Sequence, residues 1–173
     1  MPPTSQQLEL IRRASGLTLD AEGELQHEGD PILHPGLHAL FQSGLDVLPT
    51  GEAIVRVGDQ WAYVLSPGSP FVVQRLWVDG AQVALDLNTG ETVHMPAECV
   101  QLRLRGEHEL TVALPQPGRI ARFGRRAWHG LADGFDMAED GGVWLHLGPH
   151  RLLVQRGEAQ IQSLALPLPR HDD

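Results

Sequence analysis

The chain has 173 residues, enough for one compact domain or two small subdomains sharing a core, and at this size roughly 70% of the unfolded surface can be buried. A formal charge of −9 and the complete lack of lysine disfavour phosphate backbones, anionic lipid surfaces and P-loop nucleotide hydrolysis. A single cysteine, Cys99, excludes an internal disulfide framework and fits a reducing compartment, and no stretch approaches the ~20 apolar residues that span a bilayer, so the reading is a cytoplasmic protein without membrane or nucleic-acid partners.

Ser5 can cap a short helix in which Leu8 and Ile11, with Leu10, face inward, while Arg12 and Arg13 occupy its last turn and Gly16 ends it. "LTLDAEGELQHEG" alternates apolar and polar residues around Ala21-Glu22-Gly23 and predicts a β-hairpin. Pro35 suits the first position of a second helix running to about Ser43, with Leu37, Leu40 and Phe41 on one face as core residues.

From residue 54 the apolar period falls to two. Strand-turn-strand patterns follow in "AIVRVGDQWAYVLS", then across Asp79-Gly80 and Asn88-Thr89-Gly90, then around Gly106 in "VQLRLRGEHELTVAL". The two prolines and glycine of "SPGSP" mark a boundary, dividing residues 1–66 from a β-rich subdomain at 67–165 and a loose tail at 166–173. A helix is expected from about Arg119 to Ala132, followed by an acidic loop "DGFDMAEDGG", strands at "VWLHL" and "RLLVQ", and a further strand in "AQIQSLAL". The fold class is α+β, β-rich and mostly antiparallel, with two roll-like subdomains and two or three helices.

Two histidine pairs carry a spacing of four: His34 with His38, and His146 with His150. A zinc site needs three or four converging ligands, and this spacing has force only where both rings lie on one helical face. Pro35 pushes His34 out of the helix and makes it a cap, while His146 and His150 are separated by Gly148-Pro149 beyond a strand. A metal-dependent hydrolase built on these four histidines is the second reading. No nucleophile elbow or glycine-rich phosphate loop occurs, and nothing calls for a cofactor. Cys99 reads as a small buried hydrophobe, and Trp61, Trp77, Trp128 and Trp144 read as core. The carboxylates at Asp20–Asp30 and Asp133–Asp140 read as solvated loops.

At about 100° per residue the helix near residue 120 separates Ile120, Phe123, Ala127 and Leu131 from an opposite arc of Arg119, Arg122, Arg125, Arg126 and His129. Arginine holds carboxylate or phosphate with two donors, so this arc is the candidate binding face. The first reading is a non-catalytic binding or accessory protein that offers the arc to an anionic small molecule or an acidic protein partner.

Several motifs, taken in order, resemble an uncharacterised bacterial family, domain of unknown function 1285 (DUF1285). They are Gly29-Asp30-Pro31-Ile32, the pair Leu40-Phe41, the set Asn88, Gly90 and Glu91, and the arginines Arg122 and Arg125. The likeness extends over about residues 17 to 148. It implies two β-rich subdomains of roll type and assigns no function. Gly130 stands where the resemblance leads one to expect an acidic residue, and His129 replaces an aromatic one.

Overall fold

The computed structural model describes residues 3–106, 109–139 and 141–157. Helix α1 (Ser5–Arg13) is capped by Thr4 rather than Ser5. The Thr4 hydroxyl accepts from the Gln7 N–H at 3.2 Å, and the Gln7 side chain accepts from the Thr4 N–H at 2.8 Å, a reciprocal pair that satisfies two otherwise free donors. Leu10 and Ile11 face solvent, each 63% exposed, contrary to the expected inward face. The helix adheres instead through its arginines. Arg12 stacks on Trp61 with its guanidinium 4.0 Å from the ring centre, and Arg13 lies 4.1 Å from that of Tyr63.

The hairpin forms as its alternation demands, from β1 (Leu17–Leu19) and β2 (Leu25–His27), and β3 (Asp30–Pro31) extends it to three strands. Helix α2 (Pro35–Ser43) starts where proline allows, and His34 caps it by accepting the Leu37 N–H on Nδ1 at 3.1 Å. Its expected core face is displaced. Leu37 and Leu40 are exposed, Phe41 is half-buried against the small core, and Gln42 is the buried residue because its amide reaches the Gly23 carbonyl at 2.7 Å. Strands β4 (Leu45–Val47), β5 (Ala53–Val57) and β6 (Gln60–Tyr63) make a second three-stranded sheet. Leu17, Leu19, Leu25, Leu45, Val55 and Val64 form the small core between these elements.

After Ser66–Pro70 the chain enters a nine-stranded sheet. Its members are β7 (Phe71–Asp79), β8 (Gln82–Leu87), β9 (Thr92–Pro96), β10 (Leu102–Arg105), β11 (Glu109–Ala113), β12 (Ile120–Phe123), β13 (Phe135–Met137), β14 (Val143–Leu147) and β15 (His150–Arg156). The order is β13-β14-β15-β10-β11-β12-β7-β8-β9, antiparallel except where β15 lies beside β10 and β12 beside β7. Phe71, Val73, Leu85, Leu102, Leu110 and Leu145 belong to its large core. The protein is thus a β-rich, mostly antiparallel α+β fold. The strand expected at 159–166 and the tail at 166–173 lie outside the described residues.

The long helix at residues 119–132 is the principal correction. Residues 120–123 are a central strand: Ala121 lies opposite Val112 of β11 and opposite Phe71 of β7. Helix α3 begins only at Arg125 and runs to Leu131, burying Ala127 and Leu131. Apolar residues three apart suit a helix locally, but backbone pairing on both sides decides the outcome here. Gly124 makes the transition, where a Cβ would stand 3.1 Å from both Glu22 and Val72. The acidic loop likewise contains β13, drawn into the sheet by β14.

The tryptophans are half-buried rather than core. Trp77 and Trp144 carry arginine caps from Arg75 and Arg151, as Trp61 does from Arg12, and Trp128 packs on Phe135. Cys99 is exposed, in a 3-10 turn over Ala97–Cys99.

Candidate functional site

The site begins with the turn of the first hairpin. Asp20 organises it by accepting the Glu22 and Glu24 N–H groups on one carboxylate oxygen, at 2.8 and 2.9 Å. Two side chains from the large sheet then hold the turn from outside. Arg122 of β12 donates to the carbonyls of Ser69 at 3.1 Å, Asp20 at 2.9 Å and Ala21. Asn88, in the β8–β9 turn, donates to the carbonyls of Gly23 and Pro70, both at 3.0 Å, and accepts the Val72 N–H at 2.9 Å.

The immobilised turn brings Glu22 against the start of α3, where its carboxylate accepts the Arg125 N–H at 3.1 Å. Arg125, Trp128 and His129 are spaced i, i+3 and i+4 and share one helical face. Across from them, Glu109 lies two residues before Thr111, which is registered against Arg122, so Glu109 and Arg122 emerge on the same face of the sheet. These groups, with Pro67 and Phe123, line a cleft of about 570 Å³.

The five residues of the predicted arc therefore part company. Arg119 forms an ion pair with Asp46 at 2.8 Å and lies over the Phe71 ring at 5.0 Å. Arg122 is buried, with its guanidinium taken up by three carbonyls; burial lowers its pKa, against the pull of Glu109, Glu22 and Asp20. Arg125 and His129 are exposed at the cleft, and neither forms an ion pair with a described residue. Arg126 faces an adjoining depression of about 320 Å³ with Glu22, Glu24 and Gln74. The single helical face is replaced by a strand that anchors and a short helix that presents.

The histidine pairs have separate local roles. His34 caps α2, His38 pairs with Glu24 at 3.0 Å, and His146 pairs with Asp136 at 3.6 Å. His150 lies opposite Leu147 across the β14–β15 turn. Among the described residues no three His, Cys, Asp or Glu side chains converge as a metal-binding group.

Sequence reasoning did not single out Glu22 or Glu109. Glu22 stands among ordinary turn carboxylates and Glu109 in an ordinary strand, and each acquires its place only through pairings about a hundred residues apart or by strand register.

No protein-family model and no curated protein matches this chain. Two solved structures do share its fold. A DUF1285 family protein from Silicibacter pomeroyi DSS-3 superposes with a TM-score of 0.59 at 17% identity, covering 80% of this chain and 78% of that one. A DUF1285 family protein from Shewanella baltica OS155 gives 0.52 at 16% identity, covering 70% of this chain and 94% of that one. The likeness is one of fold, and it agrees with the motif resemblance seen in the sequence.

Proposed function

We propose that the protein is a non-catalytic cytoplasmic binding or accessory protein that takes a small molecule by its anionic group in the cleft between the first hairpin turn, β11, β12 and α3. One observation carries this reading: Arg125 and His129 stand exposed beside Trp128, without ion-pair partners among the described residues, while the cation beneath them, Arg122, is already satisfied by carbonyls. A volume of about 570 Å³ is in the range of small-molecule sites and favours a small ligand over an acidic protein surface. Arg125 supplies the planar two-donor fork for a carboxylate or phosphate, His129 supplies a further donor, and Trp128 supplies an apolar wall. No helix among the described residues is long and apolar enough to cross a membrane.

Thermal denaturation with inorganic phosphate, succinate and a panel of amino acids tests the reading. At least one of these should raise the melting temperature of the wild-type protein, and Arg125→Glu combined with His129→Ala should abolish the rise. An unchanged rise in the double variant removes the proposal. Both positions are exposed, so the double variant should fold.

A further inference from the structure

The cleft is not uniformly cationic. Its helix side presents Arg125 and His129, and its other walls present the carboxylates of Glu22 and Glu109. Both carboxylates feel the charge of Arg122, but its guanidinium donates to three backbone carbonyls and forms no described hydrogen bond to either of them. Among the described residues Glu109 forms an ion pair with Arg105 at 3.6 Å, a partly exposed pair of the kind that contributes little, and Glu22 accepts the Arg125 backbone N–H. Each retains acceptor capacity, because an ionised carboxylate offers about four lone-pair sites. With the Arg122 donors already taken by carbonyls, a purely anionic ligand would meet two carboxylates here that offer it no donor, within a chain whose net charge is −9.

We infer that the ligand carries both charges: a small amino-carboxylate, a free amino acid or short peptide, with its carboxylate on Arg125 and His129 and its ammonium group on Glu109 and Glu22. Resting on the cleft reading above, this assigns the ligand's second charge. The ammonium has three donors, which suits two carboxylates approaching from different elements, and the net-neutral molecule avoids the field that repels simple anions. Trp128, Phe123 and Pro67 line the same space and would take the apolar part of the ligand. Glu22 is held in place by the turn that Arg122 and Asn88 fix, so one of the two acidic walls is set before binding.

Isothermal titration calorimetry with free amino acids and with dipeptides, each beside its N-acetylated form and its C-terminal amide, decides the matter, and the two arms tell a single residue from a peptide. The expected result is binding of at least one free amino-carboxylate, weakened about tenfold or more both by acetylation and by amidation. Glu109→Gln should bring the free ligand to the affinity of its acetylated form, and Glu109 is exposed enough for that change to leave the fold intact. Equal binding of free and acetylated forms, or a Glu109→Gln protein that keeps the difference, overturns the inference. Binding of phosphate or succinate without any amino-carboxylate overturns it while leaving the cleft reading in place, and silence from every probe removes both.

Discussion

Asn88 donates its side-chain amide to the carbonyl of Gly23 at 3.0 Å, joining the β8–β9 turn to a hairpin turn 65 positions earlier. Asn88 is only 4% exposed and also holds Pro70 and Val72. Gly23 has φ +81°, and a Cβ there would lie 2.6 Å from both Asn88 Nδ2 and Val72 Cγ2. Asn88→Ala leaves buried donors and acceptors without partners and should cost about 2–3 kcal/mol in urea denaturation. Gly23→Ala combines backbone strain with a clash and should cost at least about 2 kcal/mol. A loss below 0.5 kcal/mol in either variant, about what a surface change costs, would contradict this account of the joint.

Arg122 makes the parallel joint from the other side of the turn. Removing it takes the guanidinium donor from the carbonyls of Ala21 and Ser69 and leaves that of Asp20 with the Gly23 N–H alone, so Arg122→Ala should destabilise by roughly 3 kcal/mol. Arg122→Lys keeps a charge but lacks the planar fork that reaches three acceptors, and should recover only part of that loss. Urea midpoints for the two variants measure this, with hydrogen exchange at Glu24 as a local readout: its amide, held by Asp20, should exchange faster in both. If both variants match the wild type, Arg122 is not a joint.

Much of the fold was open to reading because its signals are local. Pro35 after His34 places a helix start, Asp79-Gly80 and Asn88-Thr89-Gly90 place turns, and period-two alternation places β5, β7, β8 and β11. What escaped depends on partners distant in sequence. Residues 120–123 read as helix from their own spacing and become a strand because β7 and β11 lie on either side. Leu37 and Leu40 read as core until Gly23 draws Gln42 inward. The candidate residues Arg125 and His129 were legible as polar residues on a helix, but their division from Arg119 and Arg122 was not, since it follows from the strand that interrupts the arc. Glu22 and Glu109 carried no local mark of a shared cleft.

Tyr63 is the only tyrosine, so an ultraviolet titration of tyrosinate reports it alone. Burial raises its pKa first, reinforced by its hydrogen bond to Glu9 at 2.8 Å and by the charge of Glu52, while Arg13 pulls the other way. A pKa raised above the unfolded value of about 10 favours the neutral phenol in the native state. Its contribution to stability is therefore complete below about pH 10 and is lost as pH rises through the native pKa. The native titration should have its midpoint above that of the urea-unfolded protein. Tyr63→Phe should cost about 1 kcal/mol at neutral pH and should flatten part of the alkaline decline. A native midpoint at or below the unfolded one would rule out this linkage.

Helix α2 offers a test in which the sign matters more than the size. Gln42 is 5% exposed, and its Nε2 reaches Gly23 while its Oε1 has no partner among the described residues. The Gly23 carbonyl is also served by Asn88. Gln42→Leu removes an unsatisfied acceptor, keeps the volume close and leaves the Gly23 carbonyl with a donor, so stability should change by less than about 1 kcal/mol or rise. Gln42→Ala loses the same bond and opens a cavity, and should cost about 1–3 kcal/mol. Leu40→Gln, on the face that sequence periodicity assigns to the core, should stay within about 0.5 kcal/mol because Leu40 is already 47% exposed. Chemical denaturation of the three variants gives an ordering, with Gln42→Ala the least stable. If Leu40→Gln proves the most damaging instead, α2 is turned about its axis relative to the packing described, and the apolar stripe of Leu37 and Leu40 is core after all.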